Sequence, residues 1–278
     1  MSPLQHILRQ DRLVVFICLM LTTILAWAYV LHLGSISAEH AMPGMNTSMD
    51  MSVGMDTAMT PMPGPWNAVD FSFAVLMWSV MMVGMMGPSV APTILLYATV
   101  ARFYASENRT GQAKPFATTG WFTAGYFLAW VIFSVGAALA QTALTSAMLL
   151  TPMLKSASAP LSGGVLIVAG LYQYSPWKTA CLQQCRAPLS FIQNHGGFKP
   201  QAGASLRLGL RHGLYCVGCC WALTLLLFVL GVMNLFWIAA LAALVLVEKL
   251  WSRGVLASRA AGVAAIAGGV YLIVRHWL

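Results

Sequence analysis

Apolar residues run through this chain in blocks too long for a soluble core, and polar residues collect between them. Conspicuous apolar stretches occupy about 13–33, 117–146, 157–175 and 255–275. The stretch 214–250 is long enough for two further helices, joined by the turn Gly231-Val232-Met233-Asn234. Residues 70–101 make one more block, interrupted by Pro88 and Pro92, where a kink or break is expected near Gly84–Pro88. A bilayer-spanning helix needs about 20 apolar residues. The pattern therefore predicts an all-α, polytopic membrane protein with about seven transmembrane helices.

Only 8% of the 278 residues are charged and 59% are apolar, against about a quarter charged in soluble domains. The net charge of +8 does not point to nucleic acid, because the basic residues sit at the ends of spans. With seven helices and the N-terminus inside, Arg9, Arg12, Arg102, Arg109, Lys114, Lys178, Arg186, Lys199, Arg207, Arg211, Lys249, Arg253 and Arg259 all fall inside. Only Lys155 and Arg275 of the fifteen fall outside. This bias predicts an N-in, C-out protein of a bacterial inner membrane. The first span, preceded by two arginines and followed by Ser35-Ile36-Ser37, has signal-peptide features, but its apolar run is longer than a usual signal core and reads as a retained anchor.

Three segments follow: residues 1–33, a tail and anchor helix; residues 34–66, the one sizeable polar loop; and residues 67–278, a six-helix membrane domain. The loop carries His40 and then Met42, Met45, Met49, Met51, Met55, Met59 and Met62 among Gly, Pro and small polar residues. It has nothing with which to build a core. Its methionines continue into the second span. Met77, Met81 and Met85 repeat at i, i+4 and i+8, with Met82 and Met86 in a neighbouring row. Twelve of the seventeen methionines lie between residues 42 and 86.

A second group of soft ligands follows at the inner face. His212, Cys216 and Cys219 share one helical face, which Cys220 extends. Cys181 and Cys185, at i and i+4, belong to a short helix expected at the inner surface between Pro176 and Pro188. In the predicted topology five of the six cysteines face the reducing cytosol, which suits metal binding or catalysis better than structural disulfides. Thioether and thiolate are soft donors that select Cu(I) over hard cations. The Met-rich outer loop, membrane methionines and inner thiols together form a gradient of increasing ligand strength.

Each feature also has a plain reading. Methionine fills gaps in apolar cores, and Cys18 fits close helix packing. His6, His32, His195 and His276 suit interfaces or solvent. Gln141 and Gln173 suit helix–helix hydrogen bonds, and Trp121 and Tyr126 interfacial anchoring. Glu248 beside Lys249 suits an inner-surface ion pair, although a membrane carboxylate is also a candidate for proton coupling.

Several motifs carry a resemblance: Trp78, Met81-Met82, Met85-Met86 and Pro88-Ser89; Leu171-Tyr172-Gln173, Pro176, Lys178, Cys181 and Cys185-Arg186; Gly209-Leu210-Arg211-His212-Gly213, Cys216 and Gly218-Cys219-Cys220-Trp221; and Val232-Met233-Asn234 with Glu248-Lys249. Over about residues 70–278 they resemble a bacterial family of predicted metal-binding integral membrane proteins of unknown function. The resemblance implies a polytopic inner-membrane protein with a metal site and no established activity. An outer Met-rich segment followed by a membrane Met-x3-Met is also similar in logic to eukaryotic high-affinity copper transporters, by chemical analogy alone.

The leading expectation is a Cu(I)-binding protein, rather than an enzyme, that transports or hands over copper between the Met-rich loop and the Cys/His site. A copper chaperone or a membrane cuproenzyme would be its protein partner. Zinc or iron would explain the methionines badly. No nucleotide-binding motif is present, so transport would be passive, exchange-driven or proton-coupled. Two alternatives stay open: a membrane thiol–disulfide or quinone-linked oxidoreductase, and an assembly factor for a membrane cuproenzyme.

Overall fold

The computed structural model describes residues 16–32, 67–107, 115–150, 158–232 and 234–278. Every regular element among them is a helix. In chain order these are α1 (Phe16–His32), α2 (Ala68–Glu107), α3 (Pro115–Ser146), α4 (Ala159–Tyr172), α5 (Pro176–Arg186), α6 (Pro188–Asn194), α7 (Ala202–Leu225), α8 (Leu227–Leu230), α9 (Leu235–Leu250) and α10 (Gly254–Trp277). Among the described residues four segments are long and apolar enough to cross a membrane: Ala68–Ser106, Pro115–Ser146, Ala202–Leu230 and Gly254–Trp277. Phe16–His32 and Ala159–Tyr172 are shorter apolar helices. The turn expected between the last two blocks is present, with Gly231 at φ +100° and the Asn234 side chain capping α9 through the amides of Phe236 and Trp237.

Apolar side chains cover much of the outside as well as filling the core, and several polar ones are buried. Phe73, Leu76, Ile132, Leu139, Leu256 and Val263 are exposed, whereas Gln141, Gln173, Lys178, Glu248, Lys249 and Ser258 are buried. Ionisable groups held this way among apolar helices must find partners inside the protein.

Between such helices, close approach depends on small residues, because lipid offers no hydrophobic drive for association. The α3–α7 contact illustrates this. A Cβ at Gly209 would fall inside the Phe122 carbonyl, and one at Gly213 would lie 2.6 Å from the Tyr126 carbonyl oxygen. The α4–α10 contact uses the same device: a Cβ at Gly163 would lie 2.7 Å from the Gly269 carbonyl, and one at Gly269 2.6 Å from that of Gly163. Helix α7 packs mainly against α3 and α5, with lighter contacts to α4 and α9.

The expected break in the second span is absent, since α2 continues through both Pro88 and Pro92. Ser89 donates its hydroxyl to the Met86 carbonyl at 2.9 Å, just after the first proline. The glutamines do bond between elements: Trp78 Nε1 donates to Gln141 Oε1 at 2.7 Å, and Gln173 joins α4 to Lys178 and Ser258.

Three of the cations used to orient the chain, Arg102, Lys178 and Lys249, are buried in the protein and are not loop charges. Cys18, expected in helix packing, is exposed on α1. The Met-rich segment, with His40 and Met42 to Met62, lies outside the described residues, as does His6.

Candidate metal centre

On α7, Cys216 and Cys219 are three residues apart and both are buried, with Cys185 of α5 beside them. Helix α5 starts abruptly because Ser175 caps it, accepting from the Trp177 amide, and Pro176 occupies its first position. Eleven residues long, it lies across α7 and brings Cys185 inward. The sulfurs of Cys185, Cys216 and Cys219 all fall within 4.8 Å of one another. With a metal–thiolate bond of about 2.3 Å, sulfurs stand about 4.6 Å apart around a linear ion and about 4.0 Å apart around a trigonal one. The three thiols are therefore at ligand spacing. Cys220 adds a fourth sulfur 3.2 Å from that of Cys219.

Cys216 lies at the centre of a polar cluster. Lys249 Nζ donates to its sulfur at 2.9 Å and to Ser89 Oγ at 3.0 Å. The Tyr126 hydroxyl lies 3.0 Å from the same sulfur. Ser89 in turn bonds the Met86 carbonyl, so a continuous line runs from the proline segment of α2 through Lys249 to Cys216 and Tyr126. An ammonium at this distance stabilises negative charge on sulfur. The Cys185 thiol, on α5, is pushed well above the ordinary thiol range, first by its interaction with the Cys216 sulfur and then by burial. Burial also pushes the Cys181 thiol up.

The structure sorts the expected ligands. Cys185, Cys216 and Cys219 meet, with Cys220 in contact. Cys181 is separate: it lies on Gly218, whose Cβ would come 2.8 Å from its sulfur. His212, one turn before Cys216, is buried and its Nδ1 has no hydrogen-bond partner. Its ring is 4.9 Å from Phe191, 5.9 Å from Tyr126 and 6.1 Å from Phe122. It does not belong to the three-sulfur group. Met81, Met82, Met85 and Met86 are all buried in the same apolar core as the cysteines, with half-buried Met77 packed against it.

Three side chains have environments that the sequence did not suggest. Tyr126 is fully buried against Cys216 and is no interfacial anchor. Glu248 and Lys249 form no pair with each other, because neighbours in a helix point about 100° apart. Glu248 pairs instead with Lys178 of α5 at 2.6 Å, both buried. Lys178 also bonds Gln173 and, at 2.9 Å, Ser258 Oγ. The adjacent acid and base thus serve different networks. The signal available was a Glu-Lys pair placed inside an otherwise apolar helix.

No curated protein and no solved structure gives a significant match to this chain. The model of one protein family does match, across residues 75–272. That span contains the cysteine group, the Lys249 cluster and the buried methionines, and the chain belongs to this family, PpoB2, described as a copper chaperone.

Proposed function

We propose that this protein binds Cu(I) at Cys185, Cys216 and Cys219, with Cys220 as an adjoining ligand, and hands the ion over between the two faces of a bacterial inner membrane. The observation that carries this reading is three buried thiols at ligand spacing beside a buried ammonium. A site of soft sulfur donors favours Cu(I) over hard cations. Cu(I) with two thiolates has net charge −1, and Lys249 supplies the balancing charge inside a low-dielectric core. A chaperone family description supports handover more directly than pumping.

In this scheme the chain has seven spans, the N-terminus inside and the C-terminus outside. The segment 34–66 captures copper outside through His40 and its methionines. Met81, Met82, Met85 and Met86, with Met77, carry it through the membrane core, because thioethers hold Cu(I) loosely enough to release it. The thiols take it next, since thiolate is the stronger ligand. His212 and Cys181, which stand outside the three-sulfur group, serve as auxiliary ligands on the way in or out. The recipient is a copper chaperone or a membrane cuproenzyme that receives the ion by ligand exchange.

The test is metal analysis of anaerobically purified full-length protein. It should hold copper under reducing conditions, and Cys185→Ser, Cys216→Ser and Cys219→Ser should each lower the content. Unchanged copper in all three variants would sink the proposal. The 3.2 Å Cys219–Cys220 contact favours a redox reading as a second possibility. Thiol trapping in cells separates the two: a cycling disulfide supports redox chemistry, and constantly reduced thiols protected by Cu(I) support copper handling.

A further inference from the structure

A second polar feature lies just before the cysteines, at the start of α7. The α6–α7 connection and the first turns of α7 enclose a pocket of about 380 Å³. Lys199, Arg207 and Arg211 line it, together with His195 and Tyr97. Among the described residues no carboxylate contributes to its wall. Asp70 and Glu248 are the carboxylates whose side chains are described, and Glu248 is paired with Lys178. Three cations thus converge on one concave surface with no described acidic side chain to offset them.

This bay is also next to the metal centre. His195, in its wall, has its ring centroid 4.4 Å from that of Phe191, and Phe191 is 4.9 Å from His212. Tyr97, on another wall, stacks at 4.4 Å on Phe122, which also faces His212. One layer of aromatic rings therefore separates the bay from the buried imidazole, and Cys216 lies one helical turn further along α7. Beyond that layer the buried His212 Nδ1 has no hydrogen-bond partner.

A basic bay repels a bare copper ion and attracts an anion. Copper(I) held by two thiolates of a carrier is such an anion, because +1 and two −1 charges sum to −1. We infer that this bay is the docking site of an anionic Cu(I)–thiolate carrier, and that copper exchanges there with the His212–Cys216 side of the metal centre. The inference rests on the copper reading above. Exchange needs no redox partner: copper stays Cu(I), bonds to the carrier sulfurs break as bonds to the protein thiolates form, and protons leaving the protein thiols pass to the released carrier thiolates.

The experiment compares two donors with the full-length protein in detergent under anaerobic conditions. One is the Cu(I)–glutathione complex, which is anionic; the other is the Cu(I)–acetonitrile complex, which is cationic. A Lys199→Gln, Arg207→Gln, Arg211→Gln triple variant should take copper from the glutathione complex at least about tenfold more slowly than wild type at low ionic strength, and added salt should erase the difference. Loading from the acetonitrile complex should keep the wild-type rate and final occupancy. A dithiolate Cys-x-x-Cys peptide donor distinguishes a protein carrier from a small thiol, according to which of the two shows the larger salt-sensitive loss. Equal slowing with both cationic and anionic donors, or no slowing with either anionic donor, overturns the proposal. So does unchanged transfer with a loss of stability confined to phosphatidylglycerol vesicles, which assigns the bay to a lipid phosphate. If wild type takes copper from neither donor class, the copper reading itself fails, a separate result from failure of the bay.

Discussion

Lys249→Met tests the electrostatics of the proposed site most directly. The substitution keeps an unbranched side chain of similar length and removes only the ammonium, which lies 2.9 Å from the Cys216 sulfur and 3.0 Å from the Ser89 hydroxyl. At an effective dielectric of about 20, opposite unit charges at that separation attract by roughly 6 kcal/mol before desolvation is counted. After desolvation, a hydrogen bond to a charged group contributes about 1.5–3 kcal/mol. Cu(I) with two thiolates leaves one excess negative charge in the core, and without Lys249 nothing placed against Cys216 offsets it. The expected outcome is a Cu(I) affinity about 10- to 150-fold weaker than wild type, from about 1.4 kcal/mol per decade. It is measured by anaerobic competition with a chromogenic Cu(I) chelator. Lys249→Arg, which keeps the charge, should recover part of the loss. A folded Lys249→Met protein that binds as tightly as wild type, or more tightly, would refute the charge-balance argument.

Copper affinity should rise with pH. Cys185 is held as a neutral thiol by its raised pKa and must release a proton to bind metal, so protons compete more strongly as pH falls. Cys185→Ser should flatten the plot of log affinity against pH by about one proton in the neutral range, as read by the same chelator competition. Glu248→Gln removes the carboxylate that offsets Lys178 and should cost about 3–5 kcal/mol, while Lys178→Met with Glu248→Met should cost less than either single change. Thermal unfolding in detergent checks this, and a Glu248→Gln protein as stable as wild type would contradict it. Gly209→Val forces a side chain into the Phe122 backbone and should cost more than the usual 1–3 kcal/mol of overpacking, lowering the unfolding midpoint and the yield of folded protein.

The helical class and the soft-ligand face of α7 were legible because both depend on local periodicity. A long apolar run allows few structures in a bilayer, and i, i+3 and i+4 spacing fixes which side chains share a face. Pairing between helices has no such local signature. Nothing in the spacing of Cys181 and Cys185 says that one faces the α7 thiols and the other rests on Gly218. That division follows from how α5 packs on α7, which is a tertiary contact. The sequence likewise left open whether α2 bends or breaks near Pro88, and the helix is unbroken there.

Lys249 shows most clearly why a membrane sequence conceals its own chemistry. Charge near the end of an apolar run is the standard signal of orientation, so Lys178 and Lys249 were counted as loop charges. Yet a cation at such a position has two physically distinct fates. It can extend to water and report topology, or it can turn inward and meet a buried anion. The second fate costs desolvation and persists only when a partner is placed for it. Here the partners come from distant parts of the chain: Glu248 for Lys178, and the Cys216 sulfur with the Ser89 hydroxyl for Lys249. Those partners are a carboxylate and a thiol on apolar helices, both of which the sequence displays openly. An apolar helix carrying an acid or a thiol therefore warrants matching it against nearby basic residues before those residues are assigned to loops. Applied to this chain, that step leaves Arg207 and Arg211 as the exposed cations on α7, both on the wall of the bay that lies one aromatic layer from the buried His212.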